Sequence, residues 1–121
     1  MIHLDANVLI AVLRSEESAK DLQRHGADQH VGISAIAWSE FLCGPVLPAE
    51  AMAGRSVVDT VEPLTESDAE LAADLFNRTG RRIRSLRDCM IAAVAIRCGA
   101  SLAAVNLADF RRFEPFGLRL L

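Results

Sequence analysis

The sequence predicts an α/β fold: a three-layer α/β/α sandwich whose central sheet is mostly parallel. Three observations predict it. Short apolar runs of strand length alternate with helical patterns at close intervals, and strands joined through helices pair in parallel with both faces covered. The chain has no internal repeat, low-complexity tract or linker, so residues 1–121 are expected to form one domain. Such a length buries roughly two-thirds of the surface exposed by the unfolded chain. Finally, 51% of residues are apolar and 24% charged, an ordinary globular composition.

Taken in order, MIHL is a short apolar strand that stops at Asp5. NVLIAVLR, residues 7–14, continues as a helix that is apolar nearly all round and therefore buried. SEESAKDLQRHG, residues 15–26, reads as an exposed helix ending at Gly26. HVGI, residues 30–33, is the second strand, and Ser34 is a good N-cap for AIAWSEFLC. GPVLPAEAMAG, residues 44–54, is a turn-rich connection with a short helix after Pro48. VVDTVEPL, residues 57–64, is a third strand broken by Pro63.

Ser67 and Glu70 are spaced as a capping box, opening a helix through Leu71, Leu75 and Phe76 that closes at Gly80. An Arg-rich loop follows. The helix from Asp88 carries Met90, Ile91, Val94, Ala95 and Cys98 on one stripe and stops at Gly99. SLAAV is a strand, NLADF a loop or turn, and GLRLL the last strand. Crossovers between parallel strands are right-handed.

Several function classes are excluded. No stretch supplies the ~20 apolar residues that span a bilayer. MIHLDANVLIAVL lacks a basic leader and carries Asp5 inside its apolar run, so a secretory signal is not expected. Cys43, Cys89 and Cys98 form neither a disulfide framework nor a CxxC pair and read as small apolar core residues of a cytoplasmic protein. His3, His25 and His30 are scattered surface or strand-end residues without zinc-ligand spacing.

A net charge of −3 argues against holding nucleic acid by bulk electrostatics. Five basic residues are nevertheless concentrated in NRTGRRIRSLR: Arg78, Arg81, Arg82, Arg84 and Arg87. The plain reading is a solvated loop. Two features point instead to phosphate: the bases are Arg, whose planar fork suits phosphate oxygens, and the run ends directly beside Asp88.

The acids carry the chemistry. Sites on an open parallel sheet form outside the carboxyl ends of the strands. Asp5 ends the first strand, Asn106 and Asp109 follow SLAAV, and Asp88 lies in the first turn of its helix, where the macrodipole favours an anion. Glu40 falls within the apolar stripe of Ile36, Ala37 and Phe41, so its carboxylate needs a partner. Asp5 and Asp88 each have a plainer reading as helix caps, Glu40 as the partner of an Arg, and Asp109 as a turn residue. If Asp5, Glu40 and Asp88 converge, each pair ~5 Å apart repels by roughly 3 kcal/mol at an effective dielectric of about 20. A hard divalent cation such as Mg²⁺ offsets that best.

MIHLDANVLIAVL, SAIAWSEFLCG and RDCMIAAVAIRCGASLAAVNLADF, in this order, resemble the PIN-domain ribonucleases, above all the VapC toxins of type II toxin–antitoxin pairs. The resemblance spans essentially the whole chain. It implies a PIN-like α/β/α fold, an acidic pocket binding Mg²⁺ or Mn²⁺, and metal-dependent endonucleolytic cleavage of RNA. By position, Asp5, Glu40 and Asp88 match the three principal acids. A fourth falls at Asn106, with Asp109 three residues on. This chain has Asn106 where some relatives have Asp, and Ala104 where Thr or Ser is usual.

The resemblance also implies a VapB-like antitoxin, a homodimer and a toxin–antitoxin hetero-oligomer. Trp38, Phe41 and Leu42 are candidates for the antitoxin contact, because three such residues on one short helix cannot all face inward. One rival reading is a PIN-like module that binds RNA or a partner without cutting. A receiver-like signalling domain is excluded, since it needs a Lys near the chain's end and the only Lys is Lys20.

Overall fold

Parallel pairing decides the architecture. The computed structural model describes residues 1–121. Its strands β1 (Ile2–Leu4), β2 (Val31–Ser34), β3 (Thr60–Glu62), β4 (Ser101–Ala103) and β5 (Arg119–Leu120) form one parallel sheet in the order β3-β2-β1-β4-β5. The chain steps outward from β1 through β2 to β3, then returns to the other side of β1 for β4 and β5. This reversal makes the crevice beyond the carboxyl ends of β1 and its neighbours the natural site.

Six helices sandwich the sheet: α1 (Ala6–Arg14), α2 (Glu16–Gly26), α3 (Ala35–Cys43), α4 (Pro48–Val57), α5 (Glu66–Arg78) and α6 (Leu86–Arg97). Ser15 and Ser34 cap α2 and α3, their hydroxyls accepting from the N–H groups of Ser18 at 3.2 Å and Ala37 at 3.1 Å. No helix is long and apolar enough to cross a membrane.

Local chemistry moves several expected boundaries. The short helix expected after Pro48 is present and runs for ten residues, past Gly54 to Val57, which takes Val57 out of the third strand. Asp59 then closes onto β2, exchanging 2.7 and 2.8 Å hydrogen bonds with Val31 through its backbone and side chain. Only Thr60–Glu62 is left for the ladder.

The capping box belongs to Thr65 and Asp68, not Ser67 and Glu70. The Thr65 hydroxyl accepts from the Asp68 N–H at 3.1 Å, and Asp68 accepts from the Thr65 N–H at 2.9 Å. The last helix starts two residues before Asp88, at Leu86. β4 ends at Ala103, and the chain beyond it folds into 3₁₀ turns over Leu107–Asp109 and Arg111–Phe116. Cys43 is exposed, so it is not the core residue expected; Cys89 is buried.

Asp68 shows why the box is shifted. It is 1% exposed and receives two hydrogen bonds from Arg97 Nε, at 2.8 and 3.0 Å. Burial pushes its carboxyl up, but Arg97 and Thr65 outweigh it and hold the group below the usual range. The start of α5 is thereby pinned to the end of α6. A buried pair of this kind is costly to break, because the remaining charge has no partner.

The core runs from Ile2 and Leu4 through Leu9, Ile33 and Phe41 to Leu75, Ile91 and Phe113. Gly54 lets α4 approach it. A Cβ there would stand 2.7 and 2.8 Å from the buried ring of Phe41, a separation that requires movement in a filled core. Alanine normally improves a helix interior by about 1 kcal/mol over glycine. Here overpacking, which costs about 1–3 kcal/mol, prevails. Gly54→Ala is expected to lower the free energy of unfolding, seen as an earlier urea midpoint with an unchanged m-value.

His3 was expected at the surface or a strand end and is instead buried in the middle of β1. Its ring lies across Gly32, where a Cβ would come within 3.1 Å of it, and neither ring nitrogen has a hydrogen-bond partner. Burial lowers its pKa from 6.5 to about 4. The folded protein therefore takes up this proton less readily than the unfolded chain. The stability that results is complete above about pH 6.5 and is lost as pH falls towards 4. Relative to His3→Leu, the wild type is expected to lose roughly 2–3 kcal/mol between pH 7.5 and 4.5, measured by urea unfolding at each pH.

Candidate active site

Parallel strands that end together bring distant parts of the sequence to one edge. Asp5 directly follows β1, and its N–H donates to Ala103 O at 2.9 Å, extending the β1–β4 ladder to the lip of the sheet. Glu40 comes from α3, launched by β2. Asp88 comes from the first turn of α6, and Asn106 and Asp109 from the 3₁₀ turn after β4. All five line one cavity of about 400 Å³. A roomier depression beside α2 is lined by Glu16, Glu17, Lys20, Gln23 and Arg24, a solvated face with no convergent chemistry.

The plain readings of the first and third acids fail on geometry. Asp5 occupies the N-cap position of α1 but makes no side-chain capping bond. Asp88 sits three residues beyond the N-cap Ser85, and no capping box forms there. Both carboxylates are left for the cavity.

Their electrostatics are those of crowded, half-buried acids. Burial pushes Asp5 up; the Ala6 N–H opposes it, Asp109 adds to it and Arg87 opposes it. Burial likewise raises Glu40, against Arg87 and with help from Asp5 and Asp88. Burial raises Asp88, against Arg112 and with help from Asp109 and Asp5. The carboxylates therefore feel one another as a single cluster.

Guanidinium groups stand close without satisfying them. Arg87 Nε is 3.6 Å from Glu40, and Arg112 is 3.6 Å from Asp88, both beyond hydrogen-bond distance. Glu40 Oε1 is buried with no hydrogen-bond partner. Asn106 donates its amide to Asp109 at 3.0 Å.

A hard divalent cation fits this donor set. The ligands on offer are carboxylate and amide oxygens with no His or Cys among them, and one buried oxygen lacks a partner. As they lie, no three of the acids are close enough to share one ion, with Arg87 and Arg112 each engaging one of them.

The Arg cluster divides. Arg82, Arg84 and Arg87 line the cavity. Arg78 and Arg81 do not: Arg78 pairs with Asp74 at 3.0 Å, and Arg81 bonds Asn77 and lies over the Phe76 ring, 5.3 Å from its centroid. The expected Trp38–Phe41–Leu42 patch divides too. Phe41 is buried in the core, Trp38 stacks on it at 5.3 Å, and Leu42 alone is well exposed.

Arg112 and Asn7 line the cavity and were not foreseen. Arg112 is held between Asp88 and the Phe113 ring, 4.7 Å from its centroid. The Arg111–Arg112 pair directly after Asp109 and Phe110 was its only trace in the sequence.

Three comparisons place this geometry among known proteins. The PIN domain family model matches residues 2–114. The chain is 34% identical over 119 residues to the ribonuclease VapC10 of Mycobacterium tuberculosis, covering 94% of this chain and 89% of that one. A VapBC2 complex of Rickettsia felis, solved on a DNA fragment from its promoter, superposes with a TM-score of 0.78 at 19% identity, over 100% of this chain and 98% of that one. VapC20 of M. tuberculosis, described as a sarcin–ricin-loop-cleaving toxin, gives 0.72 at 20% identity, over 100% and 96%. At such identities the two structures bear on fold alone.

Because burial and mutual repulsion raise the folded-state pKa of Asp5, its ionised form destabilises the fold. That penalty is absent at low pH and grows as pH rises through the folded pKa. Asp5→Asn is therefore expected to melt a few degrees above the wild type at pH 7.5 in chelator, read by differential scanning fluorimetry.

Proposed function

The chain belongs to the PIN-domain family, and from that premise we propose that it is a Mg²⁺- or Mn²⁺-dependent endoribonuclease, the toxin of a VapBC-type toxin–antitoxin pair that inhibits translation and growth. One observation carries the reading: Asp5, Glu40 and Asp88, far apart in sequence, share one polar cavity in which burial raises the pKa of all three and the charge of Asp5 raises Glu40 and Asp88 further. All three acids are intact, which favours a cutting enzyme over a PIN-like module that only binds.

In this reading Asp5, Glu40 and Asp88 hold the ion, with Asp109 as the fourth acid, since its charge acts on both Asp5 and Asp88. Asn106 orients Asp109 through its amide. When bound, Mg²⁺ or Mn²⁺ supplies a water of lowered pKa and neutralises charge on the scissile phosphate. Glu40 Oε1, buried and without a partner, is the atom we assign to accept the proton of the attacking water. Water attacks phosphorus in line, the P–O3′ bond breaks, and the 3′ oxygen takes a proton from solvent water to leave as a hydroxyl opposite a new 5′ phosphate. Arg82, Arg84 and Arg87 guide the RNA backbone by forked contacts to phosphate and read no base.

A VapB-like antitoxin is the proposed partner, in a hetero-oligomer built on a toxin homodimer. The VapBC2 assembly of R. felis supports this, and Leu42, Leu47 and Met52 give α3, α4 and the turn between them exposed apolar surface for such a contact.

Asp88→Asn is expected to lower RNA cleavage in Mn²⁺ by roughly 10²-fold or more while remaining folded. Mn²⁺ is expected to raise the melting temperature of the wild type more than that of this variant. Wild-type cleavage rates in a folded Asp88→Asn protein overturn the assignment. Sequencing RNA ends after brief induction identifies the substrate.

A further inference from the structure

The segment from Gly80 to Ser85 presents one apolar side chain where the surroundings call for none. Ile83 is 90% exposed, more than any other large hydrophobic residue of the chain, and it stands at the cavity between Arg82 and Arg84. The loop that carries it is fixed at both ends. At its start the Arg81 N–H donates to Phe76 O at 3.0 Å while the Arg81 side chain lies over the Phe76 ring. At its end the N–H and hydroxyl of the buried Ser85 both donate to Arg82 O, at 3.1 and 2.7 Å. Arg81 and Arg84 are held at φ 51° and 73°, the left-handed region that costs a non-glycine residue of order 1 kcal/mol or more. In the backbone shape these contacts fix, the Ile83 side chain stands out into solvent at the cavity.

We infer that Ile83 packs against the face of a nucleobase beside the scissile phosphate, fixing the register of the RNA in the acidic cavity. This rests on the nuclease reading above. The occupant follows from charge: Arg82 and Arg84 flank Ile83 in the chain and line the same cavity with Arg87, which suits a polyanion, whereas Ile83 itself suits an apolar surface. Single-stranded RNA offers both within one nucleotide, because its unstacked bases expose flat apolar faces next to their phosphates. Branched aliphatic side chains are used as wedges against bases elsewhere. Ile83 is in this sense a positioning residue, not a catalytic one.

Ile83→Ala and Ile83→Leu are compared with the wild type on an end-labelled single-stranded RNA cut by the wild type in Mn²⁺, and on the same RNA with an abasic ribose on either side of the cut. Ile83→Ala is expected to raise KM roughly ten-fold with kcat little changed, the loss of about one buried branched side chain. Ile83→Leu restores KM, and on one of the abasic RNAs the difference between wild type and Ile83→Ala disappears. An unchanged KM for Ile83→Ala, or an equal loss on every RNA, overturns the inference; the unchanged KM transfers Ile83 to a protein contact. Failure of the nuclease reading looks different, since the wild type then cuts nothing. In that event binding of a 2-aminopurine-labelled RNA still decides: a fluorescence change lost only in Ile83→Ala supports the base contact, and its absence from the wild type overturns it.

Discussion

Like charges gathered at the carboxyl edge of the sheet are the constraint on which the rest of the molecule depends. Asp5, Glu40, Asp88 and Asp109 approach one another in a half-buried cavity, and burial weakens the solvent that would otherwise separate them. A fold tolerates this only if its other interactions are firm. They are: β1 is buried along its length, α5 is bound to α6 through Asp68 and Arg97, and α4 is drawn onto Phe41 over a bare glycine. Arg87 and Arg112 moderate the repulsion from 3.6 Å without closing the site. The cavity keeps negative charge available while remaining compatible with a folded state.

Two kinds of positive charge serve the cavity differently. Arg112, held between Asp88 and the ring of Phe113, is only 18% exposed and belongs to the frame. Arg82, Arg84 and Arg87 stand at the rim and face solvent. Acidic floor and basic rim together suit a ligand that brings its own negative charge but reacts at one point along its length. A net charge of −3 is no obstacle to such a ligand, because the relevant field is local.

The strand–helix alternation, the parallel sheet and the acids were legible because each rests on a strong local signal. Apolar runs mark the strands, and a carboxylate interrupting an apolar stripe, as Glu40 does, is costly without a partner. The misread features depend on contacts far along the chain. Nothing near Ser67 reveals that Arg97, 30 residues on, selects Asp68 as the capping partner. Arg78 and Arg81 were misread for a different, local reason: Asp74 and Asn77, each four residues earlier at helical spacing, and the Phe76 ring engage them on the protein itself. His3 was misread because histidine is usually exposed, while its place was decided by Gly32 on the neighbouring strand. Trp38, Phe41 and Leu42 were grouped as one contact because three large apolar residues on a short helix cannot all face inward, and the close approach of Gly54 to the Phe41 ring marks which one does.

The order in which the strands leave the ribosome has a consequence for when the acidic cavity can form. β1 is made before the other four strands yet lies at the middle of the sheet, and its second neighbour, β4, arrives only with residues 101–103. Until then one edge of β1 is open, and Asp5 lacks the backbone partner supplied by Ala103. Asp109 and Arg112 emerge later still. A nascent chain can therefore hold Asp5, Glu40 and Asp88 well before it can assemble them, so the cavity is complete only once β4 and the turns carrying Asp109 and Arg112 have followed.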